Sequence, residues 1–264
     1  MATQLPQLPE VERLSPLVIR SNTYLIGTGS SRLLIDTGEG KPSWSRLLSS
    51  VLSSESTTVS DALVTHWHHD HVGGIKALSS LCPSARIHKY NPVSGQSTID
   101  DGQIFKTEGA SLQAFHCPGH TTDHMAFVLE EEDAMFTGDN VLGHGTAVFE
   151  DLATYLDSLA QMRIRFNGRA YPGHGAVIEY GNAKISEYIE HRKRREEEIL
   201  QALGQVEGDA TPMELVKVVY KDVPEHLHEP AAKGTVQMLR KLEGEGRVAQ
   251  SGQERWRMGG KATL

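Results

Sequence analysis

The sequence predicts a layered α/β fold followed by a small, mostly helical C-terminal domain. Three observations predict it. Short apolar runs with strand spacing alternate with amphipathic helical segments over roughly the first two thirds of the chain, the pattern of sheets covered by helices. Near Asn182 the character changes to long, charged, helix-forming sequence. At 264 residues and 38% hydrophobic content, the chain has enough apolar material for one sizeable core and a smaller unit beside it. The expected domains are residues 1–181 and 182–264.

The elements follow in order. Residues 23–26 and 32–36 are expected as strands joined by the Gly27-Thr28-Gly29-Ser30 turn. Residues 42–52 have helical spacing, with Trp44, Leu47, Leu48 and Val51 on one face. Residues 62–64 form a short buried strand, and residues 72–81 a helix that ends before Pro83. Further strands are expected at 104–105, 112–115, 125–129 and 134–136. Residues 151–162 are helical, with Leu152, Tyr155, Leu156 and Leu159 in register. A long charged helix spans 184–203, with Ile185, Ile189, Ile199, Leu200 and Leu203 as its apolar stripe. Thr211-Pro212-Met213-Glu214 combines a capping box with proline at the first helical position, which starts a helix over 213–220. Another helix covers 232–242, and residues 247–249 and 255–257 can pair as a hairpin. Three helices and a hairpin make a winged-helix-like tail.

Composition excludes several classes. The net charge of −8 disfavours nonspecific attraction to nucleic acid or anionic membrane. Cys82 and Cys117 are the only cysteines and form no C-x-x-C, so neither a disulfide framework nor a thiolate metal site is expected. Met1-Ala2-Thr3-Gln4-Leu5-Pro6 lacks the basic and apolar regions of a signal peptide. No apolar run reaches membrane-spanning length. A cytoplasmic protein is the expectation.

The chemistry concentrates in Thr65-His66-Trp67-His68-His69-Asp70-His71. Imidazoles and carboxylates are good ligands for zinc, manganese and iron. Crowding them beside a buried strand is costly unless something binds them. Three more loops offer partners: Pro118-Gly119-His120-Thr121, Thr137-Gly138-Asp139 and Pro172-Gly173-His174-Gly175. Each follows a strand-like run and has glycine next to the candidate ligand, where glycine permits a tight turn and close backbone approach. One histidine after a strand is usually structural; three such loops plus the cluster point to a metal site.

Asp36-Thr37-Gly38, the H-x-H-x-D-H run, His120, Asp139 and His174 resemble, in order and spacing, the motifs of the metallo-β-lactamase superfamily. The resemblance implies a four-layer αββα sandwich with metals at one edge. It implies that His66, His68 and His120 hold one ion, that Asp70, His71 and His174 hold a second, and that Asp139 bridges them. Asp36 would orient a ligand rather than bind metal, and Asp70 could also accept a proton. Two divalent ions about 4 Å apart can activate water and polarise a carbonyl or phosphoryl oxygen, lowering the pKa of water from roughly 15.7 toward about 7. No protein nucleophile is then required, and no G-x-S-x-G elbow is present. Zinc is the expected metal, with manganese or iron compatible with an N/O site.

Other histidines are read separately. His69 falls at a position the superfamily leaves variable and is expected to be a non-ligand. His116 lies on a strand, where packing or a polar contact is expected. His144 follows Asp139 closely and is a candidate to contact substrate or shuttle a proton, against the commoner role of a plain loop histidine. His124, His191, His226 and His228 are expected to be structural.

Aspartate at 139 and histidine at 71 resemble glyoxalase-II-like hydrolases and related nucleases rather than antibiotic-hydrolysing lactamases. Glu39-Gly40, Asp123-His124-Met125, residues 146–152, His191-Arg192, residues 213–216 and Pro224-Glu225-His226-Leu227 extend the resemblance to the β-lactamase-like protein 2 family. Gly40-Lys41-Pro42-Ser43-Trp44 and residues 140–145 are most similar to its fungal thioesterases of aromatic polyketide pathways. The implied activity is release of an acyl chain from the acyl carrier protein of a non-reducing polyketide synthase. The chain departs from the family in one place: Val18-Ile19-Arg20-Ser21 runs directly into Asn22-Thr23-Tyr24-Leu25, without the Gly/Asn/Pro-containing segment that relatives carry there. The alternative activity is cleavage of single-stranded RNA, with Glu190-His191-Arg192-Lys193-Arg194-Arg195 holding phosphates. Against it, Glu190/Arg194, Arg192/Glu196, Lys193/Glu197 and Arg194/Glu198 have the i,i+4 spacing of a solvated helix. A non-enzymatic binder is disfavoured by the complete ligand set, and iron-based sulfur oxidation by the second-ion residues.

Overall fold

A computed structural model describes residues 12–15, 18–20 and 23–259. The N-terminal stretch Met1-Ala2-Thr3-Gln4-Leu5-Pro6 lies outside the described residues. So do Ser21 and Asn22, at the point of departure from the family.

Among the described residues two sheets face one another. The first has seven strands in chain order: β1 (Glu12–Arg13), β2 (Val18–Arg20), β3 (Tyr24–Ile26), β4 (Ser31–Ile35), β5 (Thr58–Leu63), β6 (Arg86–Lys89) and β7 (Ser97–Thr98). Neighbours from β1 to β4 are antiparallel, and those from β4 to β7 are parallel. Three helices lie between them in the chain: α1 (Pro42–Ser54), α2 (His69–Val72) and α3 (Ile75–Leu81). The second sheet contains β8 (Ile104–Thr107), β9 (Ala110–His116), β10 (Met125–Leu129), β11 (Ala134–Gly138) and β12 (Ala170–Pro172), ordered β12-β11-β10-β9-β8. Helices α4 (Leu152–Arg163) and α5 (Gly181–Gly204) follow β11 and β12.

Strand alternation explains the layers. Successive side chains on a strand point to opposite faces. Tyr24, Ile26, Leu33 and Ile35 meet Leu112, Phe127, Leu129, Phe136 and Tyr171 between the sheets. Leu25 and Leu34, one step out of phase, pack outward with Trp44, Leu48 and Val51 of α1 and Leu78 of α3. On the far side Phe115, Ala126, Val128 and Met135 pack against Tyr155, Leu159 and Met162 of α4 and Ile185 and Tyr188 of α5. This is an αββα sandwich, as the motif resemblance implies.

The tail comprises α6 (Pro212–Val219), α7 (His228–Gly244) and the antiparallel pair β13 (Val248–Gly252) and β14 (Arg255–Met258). Thr211 caps α6 through the expected capping box with Glu214. Trp256 is buried, and its backbone pairs with Ala210. Its indole joins one continuous apolar cluster that runs from Phe115 in the second sheet through Ile199 and Leu203 to Leu239 and Val248.

Two expectations change. The helix over 72–81 is broken into α2 and α3 at Gly73-Gly74. A Cβ on Gly74 would sit 1.9 Å from the Thr37 carbonyl oxygen, so the missing side chain admits the backbone that follows β4. Helix α5 is not a simple solvated face. Arg192 and Glu196 are buried along with Ile185, Tyr188, Ile199 and Leu203. The Arg192 Nη2 donates to the Ala147 carbonyl at 2.7 Å, and its guanidinium lies 4.7 Å from the centre of the Phe149 ring. Glu196 pairs with Lys241 of α7 at 2.9 Å, and Arg195 pairs with Glu198. These contacts replace the Arg192/Glu196 pairing expected from i,i+4 spacing.

Candidate metal centre

Topology collects the candidate ligands at one edge. Strands β4 and β5 are parallel, so Asp36 and the histidine run leave the same end of the first sheet. Strands β9 and β11 both run antiparallel to β10, and β12 is parallel to β11. His120, Asp139 and His174 therefore all follow C-terminal strand ends in the second sheet.

Two ligand groups form there: His66, His68 and His120; and Asp70, His71, Asp139 and His174. Within each, one ligand atom per residue lies within 4.8 Å of the others. In the first group the His68 Nδ1 stands 2.9 Å from the His66 Nε2 and 3.1 Å from the His120 Nε2. In the second, the His174 Nε2 lies 2.9 Å from the Asp70 Oδ2 and 3.3 Å from the Asp139 Oδ2. The His71 Nε2 lies 3.4 Å from Asp70 and 3.5 Å from Asp139. Asp139 also approaches the first group, at 3.8 Å from the His120 Nε2.

The surrounding hydrogen bonds aim these atoms. Asp36 Oδ2 is 2.8 Å from the His71 Nδ1, and Oδ1 accepts from the Thr65 backbone N–H at 2.8 Å. The bond directs the His71 Nε2 toward Asp70 and Asp139. His120 Nδ1 donates to the Val148 carbonyl at 2.8 Å, which leaves Nε2 to face His68. His124, expected to be structural, packs against the candidate site. It is fully buried, its Nε2 accepts from the Asp139 backbone N–H at 3.0 Å, and Nδ1 lies 3.3 Å from Cys117 Sγ. Its ring also stacks on His66 with centroids 5.2 Å apart. The available signal was its place immediately before the wholly buried strand β10.

Electrostatics fit a cation. Burial drives His66 and His120 toward the neutral form, the one that coordinates metal. Burial opposes a charge on His71 too, but Asp36, Asp139 and Asp70 outweigh it and raise the His71 pKa. Burial disfavours the charged form of Asp139, yet the nearby His174 and His71 imidazoles hold its pKa well below the usual carboxylate range. Asp70 is lowered chiefly by His71. The two carboxylates thus draw positive charge between them. The His71 Nε2 and Asp139 Oδ1 are buried without a hydrogen-bond partner, and such atoms are costly unless coordinated. The donor set is all N and O, and these residues fit a divalent metal.

The remaining candidates fall outside both groups. His69 is exposed. His116 stacks on Tyr90 with centroids 3.9 Å apart and bonds the Thr122 carbonyl, the packing and polar role expected. His144 is half-buried beside Gly175 and belongs to neither ligand group. Cys82 and Cys117 are buried free thiols. A cavity of about 280 Å³ opens onto Asp70, His71 and His174, with Tyr24, Lys41 and Trp44 in its wall.

Comparison with known proteins places this arrangement. The metallo-beta-lactamase superfamily model matches residues 17–93 and 83–174, and the beta-lactamase associated winged helix domain matches 211–256. Lactamase-like protein ptaB of Pestalotiopsis fici is 45% identical over 96% of this chain and 89% of its own length. An atrochrysone carboxyl ACP thioesterase of Emericella nidulans is 42% identical over 96% of this chain and 87% of its own. A beta-lactamase domain protein from Burkholderia ambifaria superposes with a TM-score of 0.81 at 16% identity, covering 98% of this chain and 96% of that one. A metallo-beta-lactamase family protein from Thermus thermophilus gives 0.73 at 23% identity, covering 94% and 96%. The solved structures share the fold, and the family models share the motif-bearing residues. This chain belongs to the metallo-beta-lactamase superfamily and carries its associated winged-helix domain.

Proposed function

We propose that this protein is a metal-dependent thioesterase that releases an aromatic polyketide from the acyl carrier protein of a non-reducing polyketide synthase. The observation that carries the reading is near-full-length similarity to atrochrysone carboxyl ACP thioesterases, at 42% identity in both the Emericella nidulans and Cryptosporiopsis proteins. The site supports it, because its second ligand group opens onto a cavity and the metal chemistry calls for no serine or cysteine nucleophile.

The proposed ligands are His66, His68 and His120 for one ion and Asp70, His71 and His174 for a second, with Asp139 between them. Zinc is the proposed metal, since imidazole and carboxylate suit it. When bound, divalent ions supply an activated water and a Lewis acid for the thioester carbonyl. The chain's own residues do the rest. Asp36 holds His71 in the tautomer that presents Nε2, and the Val148 carbonyl does the same for His120. Asp70 is the more exposed of the two carboxylates; its Oδ2 faces His174 and His71 as a ligand would, which leaves its other oxygen to accept a proton. Thiolate is a good leaving group, so no separate acid is required at the sulfur. His144 is assigned no step. Two buried free thiols agree with a reducing, cytoplasmic setting. Among the described residues no helix is long and apolar enough to cross a membrane.

The test offers metal-quantified protein an acyl-loaded carrier protein and, separately, single-stranded RNA. Expected is thioester release that stops with chelator and with Asp139→Ala. RNA cleavage without thioester release would sink the proposal. Arg192, the buried member of the basic run, packs its guanidinium against Ala147 and Phe149, so it is not presented to a phosphate.

A further inference from the structure

His124 belongs to neither ligand group, yet its ring lies against residues of both. It is fully buried, beside His66 with ring centroids 5.2 Å apart and beside His120 at 6.0 Å. Its Nε2 accepts from the Asp139 backbone N–H at 3.0 Å. Asp139 belongs to the second group and also approaches His120 of the first, so a bond to its backbone bears on both.

The backbone around His124 is fixed from both sheets. The Cys117 N–H, just past β9, donates to the His124 carbonyl at 2.9 Å. The Met125 N–H donates to the Thr65 carbonyl at 2.7 Å, at the head of the histidine run that follows β5. The ring is held at its second nitrogen as well, since Cys117 Sγ lies 3.3 Å from Nδ1. Because Nε2 accepts, the ring proton sits on Nδ1 and points at that sulfur. A neutral imidazole has one donor and one acceptor, and here both are used.

The peptide group between Gly138 and Asp139 is held at each end. His124 takes its N–H, and the Gly173 N–H donates to its oxygen, the Gly138 carbonyl, at 2.8 Å. Gly138 has φ +49°, and a Cβ there would stand 2.6 Å from the His124 Nε2. The missing side chain is what lets the ring reach the peptide. Rotation of this peptide would turn the Asp139 side chain away from His71 and His174, whose Nε2 atoms lie 3.5 and 3.3 Å from its carboxylate. A buried N–H without an acceptor is unfavourable, so loss of the imidazole acceptor favours such a rotation.

We propose that His124 is a positioning residue whose Nε2 fixes the Gly138–Asp139 peptide and so sets the Asp139 carboxylate between the two ligand groups, with Cys117 holding the required tautomer. The assignment rests on the proposed ligands and not on which bond is cut, so its test reads tautomer and metal affinity rather than turnover. Long-range proton–nitrogen correlation spectra of the zinc-loaded full chain, labelled at histidine nitrogen, should show the His124 proton on Nδ1. Protonation at Nε2 overturns the proposal without any variant. Zinc affinity is then compared between His124→Gln, which keeps an acceptor, and His124→Leu, which has none. The leucine variant should hold its weaker zinc equivalent about 10–100-fold less tightly. The glutamine variant should recover most of that loss, although the two metal-free variants melt at similar temperatures. Equal losses in both variants, or no loss in the leucine variant, overturn the positioning role. Where the leucine variant does not fold, near wild-type affinity of His124→Gln supports the role, and a loss of about 10–100-fold there overturns it. A wild type that binds no zinc overturns the ligand assignment and the positioning role with it.

Discussion

Histidines that are neighbours in sequence have separate roles in the site. His66 and His68 converge with His120, His71 turns to Asp70 and Asp139, and His69 faces solvent. Alternation of side-chain direction in extended backbone gives His66 and His68 a common side; the short helix α2 then redirects Asp70 and His71. His69→Ala should retain wild-type metal stoichiometry, whereas Asp70→Ala should lose about one equivalent, as read by elemental analysis of the purified variants. A full equivalent lost from His69→Ala would show the ligand register to be wrong. At this scale the two candidate ligand groups were legible because each residue carries its own chemistry and follows a recognisable strand. The contact of His124 with the site was not, since a histidine before a buried strand is ordinarily structural and its partner is not evident from its neighbours. Its hydrogen bond goes to the Asp139 backbone, and no spacing rule reveals a partner brought close only by the pairing of β10 with β11.

At the scale of elements, the loops that carry ligands are held by close backbone contacts. Gly119 has φ +137°, and a Cβ there would lie 2.4 Å from the Cα of Tyr155. Helix α4 therefore packs directly on the His120 loop, and the Glu150 N–H donates to the Gly119 carbonyl at 2.7 Å. Gly119→Ala must move either the helix or the loop. It is expected to destabilise the protein by about 1–3 kcal/mol and to weaken metal retention at the first group more than at the second. Denaturation with metal analysis on the folded fraction checks both; an unchanged denaturation midpoint and metal content would contradict the packing argument. The longer elements were legible from periodicity, including β10, α4 and the capped start of α6. Strands β7 and β12, at two and three residues, are too short to show a period. The break between α2 and α3 depends on Thr37, far away in the chain. Arg192 and Glu196 misled because charged residues on a long helix ordinarily face water.

Across the whole molecule, the two sheets serve as a scaffold that brings five strand ends to one edge. The candidate metal residues come from both sheets, so neither sheet can shift without disturbing the site. The tail shares the apolar cluster of the second sheet through α5, and Arg192 ties that helix to the loop whose Val148 carbonyl orients His120. The layered class was legible because alternation marks both faces of the strands. The route from the tail to the site was not, since it passes through a buried arginine. The most direct measurement is release of an acyl chain from its carrier protein by metal-free protein titrated with zinc. Release is expected to be absent without metal and to rise with zinc until about two equivalents are bound. Full-rate release from protein shown to be metal-free would contradict a metal-dependent thioesterase.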